Sequence, residues 1–170
     1  MTQARDEAAL QLLKNPERFP SLPRRRDDQR RLCLWRQPSF IPFSSWSLFQ
    51  DGDGFVVRRL EYDRSLGLPI HPDDPHVYGS EAVVDAAQVR DILDAFTAVE
   101  LPVSRSTTNI VLDGVRYGLR SDDYRQGVEL TWGHEAEGWE TLTALFEQTV
   151  ETLDALLPGS TLRGVFEVVR

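Results

Sequence analysis

Residues 45–63, SWSLFQDGDGFVVRRLEYD, indicate most clearly how this chain folds. Aromatic and β-branched residues lie on both sides of the tight-turn signal DGDG at 51–54, as a β-hairpin requires. A calcium loop also needs Asp and Gly, and with Gly54 at its sharp turn the first and last ligands would fall on Phe49 and Leu60. Neither side chain can bind calcium. The stretch therefore predicts two antiparallel strands joined by a turn.

Shorter segments with strand-forming residues surround this hairpin. They are 32–37 (LCLWRQ), 81–84, a second hairpin over 107–120 with its turn at Asp113-Gly114, a strand at 127–132, and a last strand at 161–170. Together with the first hairpin they predict a sheet built from antiparallel neighbours.

Three segments have helical spacing of apolar residues. The first covers 4–14. The second begins after Asp85, an N-cap with Gln88 three residues on, and ends at Leu101-Pro102. The third and longest covers 138–157 and ends at Pro158-Gly159. The sequence predicts an α+β fold: an antiparallel sheet with about three helices on one face, the long C-terminal helix among them.

The chain of 170 residues is long enough for one domain with a sizeable core. We assign residues 32–170 to a single α+β domain, and residues 1–31 to an N-terminal helix followed by an arm rich in proline and arginine. In that arm Arg24-Arg25-Arg26 precedes Asp27-Asp28 directly, a charge pattern that favours a solvated loop over a nucleic-acid patch.

The net charge of −8 is concentrated in residues 65–170, which hold seven Arg/Lys and eighteen Asp/Glu. Such an acidic body repels nucleic acid and anionic membranes and attracts basic proteins. The sequence shows no apolar run of membrane-spanning length, no signal-peptide pattern, and only one cysteine, Cys33. These features predict a cytoplasmic protein. The oligomeric state stays open.

Two of the three histidines lie in IHPDDPHVYG at residues 70–79. His71 and His76 flank Asp73 and Asp74, so the loop offers metal-ligand and acid–base residue types. The spacing is not that of a helical His pair, and Asp and Pro are common in turns for conformational reasons alone. We therefore predict a polar loop with no metal and no cofactor. An enzyme of unknown class, with or without a metal in this loop, is the alternative.

Other candidates for catalysis have structural interpretations. Cys33 lies in the apolar run LCLW, which favours a buried, inert thiol. No G-x-S-x-G, phosphate-binding or H-E-x-x-H motif is present in the sequence. The aromatic residues Tyr117, Tyr124, Trp132 and Trp139 fit a core better than a ligand pocket. We assign no catalytic residue.

The long helix carries acidic residues opposite its apolar face. Glu137, Glu140, Glu147, Glu151 and Asp154 fall within about 100° of arc, with no lysine or arginine among them. The arrangement has two interpretations, a solvated face or a docking surface for a basic protein. The second predicts a non-enzymatic binding protein that uses these five residues. A small module that associates through a sheet edge is a third hypothesis.

Residues 112–153, LDGVRYGLRSDDYRQGVELTWGHEAEGWETLTALFEQTVETL, resemble a pattern found in small bacterial α+β proteins. In these a D-G hairpin and Y-x-L lead to a strand ending in Trp, and a helix that starts with Trp follows. Some such proteins are immunity proteins, which neutralise a toxin of the same or a neighbouring cell. The resemblance implies an α+β fold and an immunity-like role. It covers about a quarter of the chain and carries over no functional residue.

Overall fold

The structure is a computed structural model that describes residues 2–39, 42–63, 76–101, 114–122, 127–134 and 136–160, with side chains from residue 6 onward. The elements in chain order are α1 (Thr2–Lys14), two 3₁₀ turns (Pro16–Arg18 and Asp27–Gln29), β1 (Arg30–Pro38), β2 (Phe43–Asp51), β3 (Gly54–Tyr62), β4 (Val77–Val84), α2 (Ala86–Thr97), β5 (Val115–Asp122), β6 (Gly127–Gly133) and α3 (Glu140–Asp154).

The first predicted hairpin is confirmed as β2–β3. Asp51 pairs with Gly54 across the turn, and Gly52 has a φ of 61°. A positive φ is favourable only for residues without a bulky side chain, so glycine at this position fixes the turn and the register of both strands.

The strands form one antiparallel sheet in the order β4-β3-β2-β1-β5-β6. Four consecutive strands form a meander, and β5 then pairs with β1 on its far side, so β5–β6 extends the sheet past the first strand. The predicted α+β class is confirmed. The predicted strand at 161–170 and the first strand of the second predicted hairpin, residues 107–113, lie outside the described residues.

Helices α2 and α3 pack on one face of this sheet. α3 buries Leu142, Phe146, Val150 and Leu153, which confirms the predicted apolar face of the long helix. Asp85 caps α2 by accepting hydrogen bonds from the backbone N–H groups of residues 87 and 88. This first face carries the larger of the two hydrophobic cores formed by the described residues.

The opposite face is also covered, contrary to the prediction that the helices share one face. α1 packs across β1, β2 and β3, and a second core forms from Ala9, Leu13, Phe19, Leu60 and Tyr62. The physical reason is visible in β2 and β3, where six or more consecutive residues are buried. Strands that are buried on both faces need a layer on each side.

Arginines on this second face join the segment 15–29 to the sheet. Arg58 is fully buried and bonds to Glu81 at 2.6 Å and to the carbonyl oxygens of Pro16 and Pro23. Arg25 reaches the same Glu81 at 3.3 Å and Asp51 at 2.6 Å. The solvated loop predicted for the three consecutive arginines is therefore wrong for the middle one. Because the backbone carbonyls of the arm accept from Arg58, the arm is held against the sheet.

None of the helices in the described residues combines the length and the apolar character that a membrane span requires.

Candidate binding surfaces

The five acidic residues predicted as a docking face do not lie together in the structure. Glu137, Glu140 and Glu151 are exposed, whereas Glu147 and Asp154 turn from the flank of α3 toward the sheet. The reason is their angular position. Both lie at the edge of the acidic arc nearest the apolar side, where a side chain can reach back to the strands.

Asp154 lies almost entirely within the protein, with 11% of its side chain exposed. Its carboxylate accepts a hydrogen bond of 2.7 Å from Trp46 Nε1 and one of 3.1 Å from Arg59. Arg59 also pairs with Glu61 at 3.2 Å and donates to the carbonyl of Pro158. The prediction that Asp154 belongs to an outward face is therefore wrong. Its position ties the C-terminal end of α3 to β2 and β3.

The carboxylate of Glu147, like that of Asp154, contacts an arginine of the sheet. It bonds to Arg36 at 3.0 Å, and the guanidinium of Arg36 lies 5.6 Å from the ring centroid of Trp46. Burial is the main cause that raises the pKa of Tyr117 well above its ordinary value, and a hydrogen bond to Glu147 raises this pKa further. The hydroxyl of Tyr117 also lies 3.2 Å from Nδ1 of His134. Although 40% of the Glu147 side chain is exposed, the charge of its carboxylate is neutralised by Arg36 of β1.

The outer surface of the helical layer is acidic nevertheless. Besides the three exposed acids of α3 and the turn before it, the α2 region exposes four carboxylates, while the described part of this layer (residues 85–101 and 136–160) contains one basic residue, Arg90. The four are Asp85, Asp91, Asp94 and Glu100. Sequence reasoning missed them because the packing of α2 beside α3 could not be read from either helix alone. The acidic surface is thus formed by two helices, with Glu147 and Asp154 excluded from it.

The aromatic residues of β5, β6 and α3 form part of the core. Tyr117 stacks on Trp132 with ring centroids 5.6 Å apart, Trp132 stacks on Trp139 at the same separation, and Phe146 meets the first two edge-on. The prediction of core packing is confirmed for these residues, and Tyr124 lies outside the described residues.

Cys33 is completely buried, as predicted. Burial raises the pKa of its thiol to about 11, against the opposing effect of a hydrogen bond with Ser47. At neutral pH the group is therefore a thiol and not a nucleophilic thiolate.

The polar loop at 70–79 is described only from His76 onward. His76 is buried, has a φ of 51°, and its carbonyl accepts a hydrogen bond of 3.1 Å from the N–H of Asp63. His71, Asp73 and Asp74 lie outside the described residues. Among the residues that are described, no group of three His, Cys, Asp or Glu side chains could hold a metal ion.

A groove on the second face of the sheet was not predicted. It has a volume of about 610 Å³ and lies between α1 and the edge strand β6, with β1 and β5 as its floor. α1 contributes Glu7, Leu10, Gln11 and Lys14; the strands contribute Trp35, Gln37, Arg116, Glu129 and Thr131, with Trp132 and Gly133 after it. The groove is thus lined by both charges and by an aromatic ring.

Trp35 forms the centre of this floor. Its indole lies over Gly118 of β5, where an added Cβ would come within 1.9 Å of the ring and 2.3 Å of Nε1. Lys14 Nζ lies 4.8 Å from the ring centroid on the other side and pairs with Glu129 at 3.3 Å. Trp35 is 2% exposed, and its Nε1–H has no acceptor in the described part of the chain. A buried N–H without an acceptor costs about 1–3 kcal/mol.

One sequence signal could have located this groove. Gly118 interrupts the strand sequence RYGLR, and a glycine inside a strand often marks close approach of another group.

In comparisons with known proteins, no family model matches the chain, and no curated protein or solved structure matches it.

Proposed function

We propose that this protein is a cytoplasmic, non-enzymatic binding protein that docks a basic protein through the outer surface of its helical layer. The observation that supports this is the imbalance of exposed charge over α2, α3 and the segments beside them: seven carboxylates against one guanidinium in the described residues. Opposite charges on a partner would speed association through long-range attraction.

The acidic surface in the structure spans α2 and α3, whereas the acidic arc predicted from the sequence lay on α3 alone. Asp91 and Asp94 of α2 join Glu140 and Glu151 of α3, and the two helices pack against each other on the same side of the sheet. A partner would need Arg or Lys residues spread over both helices. Because Glu147 already pairs with Arg36, it contributes little net charge to this surface.

A more specific version of this proposal is an immunity-like role, in which the basic partner is a toxin. It rests on the resemblance of residues 112–153 and on the same charge argument, since a basic toxin is a partner that an acidic surface would attract. A gene for a secreted toxin beside this one would support that form of the proposal.

The test compares two charge-reversed variants of equal charge. One carries Asp91→Lys and Glu151→Lys on the helical layer; the matched control carries Asp27→Lys and Asp53→Lys, which are exposed and lie outside that layer. Each variant and the wild type are used as bait in cells of the source organism, and each captured partner is then purified and its association rate measured by surface plasmon resonance at several salt concentrations.

We expect the helical-layer variant to lose at least tenfold in association rate and the control to stay within threefold of the wild type. Raising the salt should slow the wild type, because the screening length falls from about 10 Å at 0.1 M to about 3 Å at 1 M. Circular dichroism checks that both variants are folded. A folded helical-layer variant that binds every partner at the wild-type rate would contradict the proposal.

A further inference from the structure

We propose that the groove between α1 and β6 binds a small zwitterion, a molecule that carries both a carboxylate and an ammonium group. A free amino acid and a short peptide with free ends share this chemistry. The inference is independent of the acidic helical layer, because the groove lies on the opposite face of the sheet.

The donors for a carboxylate are set by the strand register. Trp35, Gly118 and Thr131 lie side by side across β1, β5 and β6. Gln37 and Arg116, each two residues farther along its strand, form the neighbouring pair on the same face of the sheet. Two residues along a strand correspond to about 7 Å, a distance that an arginine side chain can cover. The indole N–H without an acceptor and the guanidinium of Arg116 therefore belong to the same part of the floor.

Arg116 is available to a ligand because nothing in the described residues pairs with it. It is exposed at the groove, and none of the ion pairs in the described part of the chain includes it. A guanidinium binds a carboxylate through two parallel hydrogen bonds, which gives both affinity and orientation. A single carboxylate bound by Arg116 could also accept from Trp35 Nε1.

The ammonium end is assigned to Glu7. This carboxylate lines the groove from α1, is exposed, and is likewise absent from the ion pairs of the described residues. The other two charges, Lys14 and Glu129, bind each other across the groove at the level next to Trp35 and so close that end. Among the described lining residues, one unpaired charge of each sign then faces the groove, which matches a zwitterion and disfavours a purely anionic or cationic ligand.

Isothermal titration calorimetry of the full chain tests this with named probes. Single L-amino acids form the first arm and trialanine the second, while N-acetyl-trialanine amide, which lacks both charges, is the control ligand. We expect saturable heat from at least one zwitterionic probe and at least tenfold weaker binding of the capped peptide. Amino acids without trialanine would indicate a free amino-acid site; trialanine alone would indicate a peptide site.

Variants assign the roles. Arg116→Gln and Glu7→Gln should each weaken the zwitterion at least tenfold, and Trp35→Phe, which keeps an aromatic ring but removes the N–H, should weaken it severalfold. Arg90→Gln, an exposed arginine on α2, is the matched control and should bind like the wild type. No heat from any zwitterionic probe at millimolar concentration would overturn the proposal, as would equal binding of the capped peptide or an unchanged affinity in Arg116→Gln.

Discussion

Replacing Gly118 by alanine should destabilise the protein through one contact, that with the indole of Trp35. The new Cβ would lie 1.9 Å from Cε2 and 2.1 Å from Cζ2, whereas ordinary contacts begin at 3.4 Å. The ring would therefore have to move by more than 1 Å. It is buried, with α1 above it and β5 below, so neither side yields easily. Overpacking of this kind costs about 1–3 kcal/mol, and we expect the upper end.

Urea unfolding followed by circular dichroism measures the free energy of unfolding, and a thermal melt should show a fall of about 2–4 °C per kcal/mol for a chain of this size. Gly133→Ala is the control, because its Cβ would meet nothing within 4 Å on the neighbouring strand. We expect this variant to change stability by less than about 0.5 kcal/mol.

A double-mutant cycle isolates the contact. In a Trp35→Leu background the overlapping ring atoms are gone, so Gly118→Ala should cost little or should stabilise the strand slightly. The reasoning is refuted if Gly118→Ala costs the same with Trp or Leu at position 35, or if it is no more destabilising than Gly133→Ala.

Three further predictions concern α3 and the arginine pairs. Leu153→Ala should lower the free energy of unfolding in urea by about 2–5 kcal/mol, because the side chain of Leu153 on α3 is fully buried; an unchanged urea midpoint would contradict the packing of α3 on the sheet. Asp154→Ala should cost about 1–3 kcal/mol, because Trp46 Nε1 loses its acceptor and the buried Arg59 is left with Glu61, whereas Glu151→Ala on the exposed side should cost less than about 0.5 kcal/mol; equal costs would contradict this assignment. Asp122→Asn should destabilise at neutral pH, and the difference from the wild type should shrink as pH falls below 3.8. Although burial opposes it, hydrogen bonds from Arg30 and Arg120 lower the pKa of Asp122, so its stabilisation is present above the unfolded value of 3.8 and is lost as pH falls through the lower folded value; a stability difference independent of pH would contradict this.

Local pattern was sufficient for the elements with strong periodicity. The turn at Asp51–Gly54, the cap at Asp85 and the apolar face of α3 could be predicted because each depends on residues near one another in sequence. Element boundaries were less accurate: the strand predicted over 81–84 begins at Val77. Pairing with β3 extends it there, and pairing is a tertiary effect that the residues of β4 do not encode alone.

The positions of the charges could not be predicted because they depend on which surfaces meet. Arg58 and Arg59 are neighbours in one strand, yet they point to opposite faces and bind carboxylates from different parts of the chain, Glu81 and Asp154. Sequence spacing alone indicated that Asp154 faces solvent. Only the sheet beneath α3 supplies the arginine and the indole N–H that draw its carboxylate inward.

The sheet order has a consequence for the way the chain folds. Strands β1 to β4 pair in sequence, β1–β2 and β2–β3 through short connections, whereas β5 must find β1 after α2, with the residues between Pro38 and Val115 enclosed in the loop. The entropy lost in closing a loop grows with its length, and contacts between distant residues slow folding. We therefore expect β1–β3 to form early and the docking of β5–β6 onto β1 to limit the rate. In pulse-labelling hydrogen exchange, the amides of β2 should become protected before those of β6.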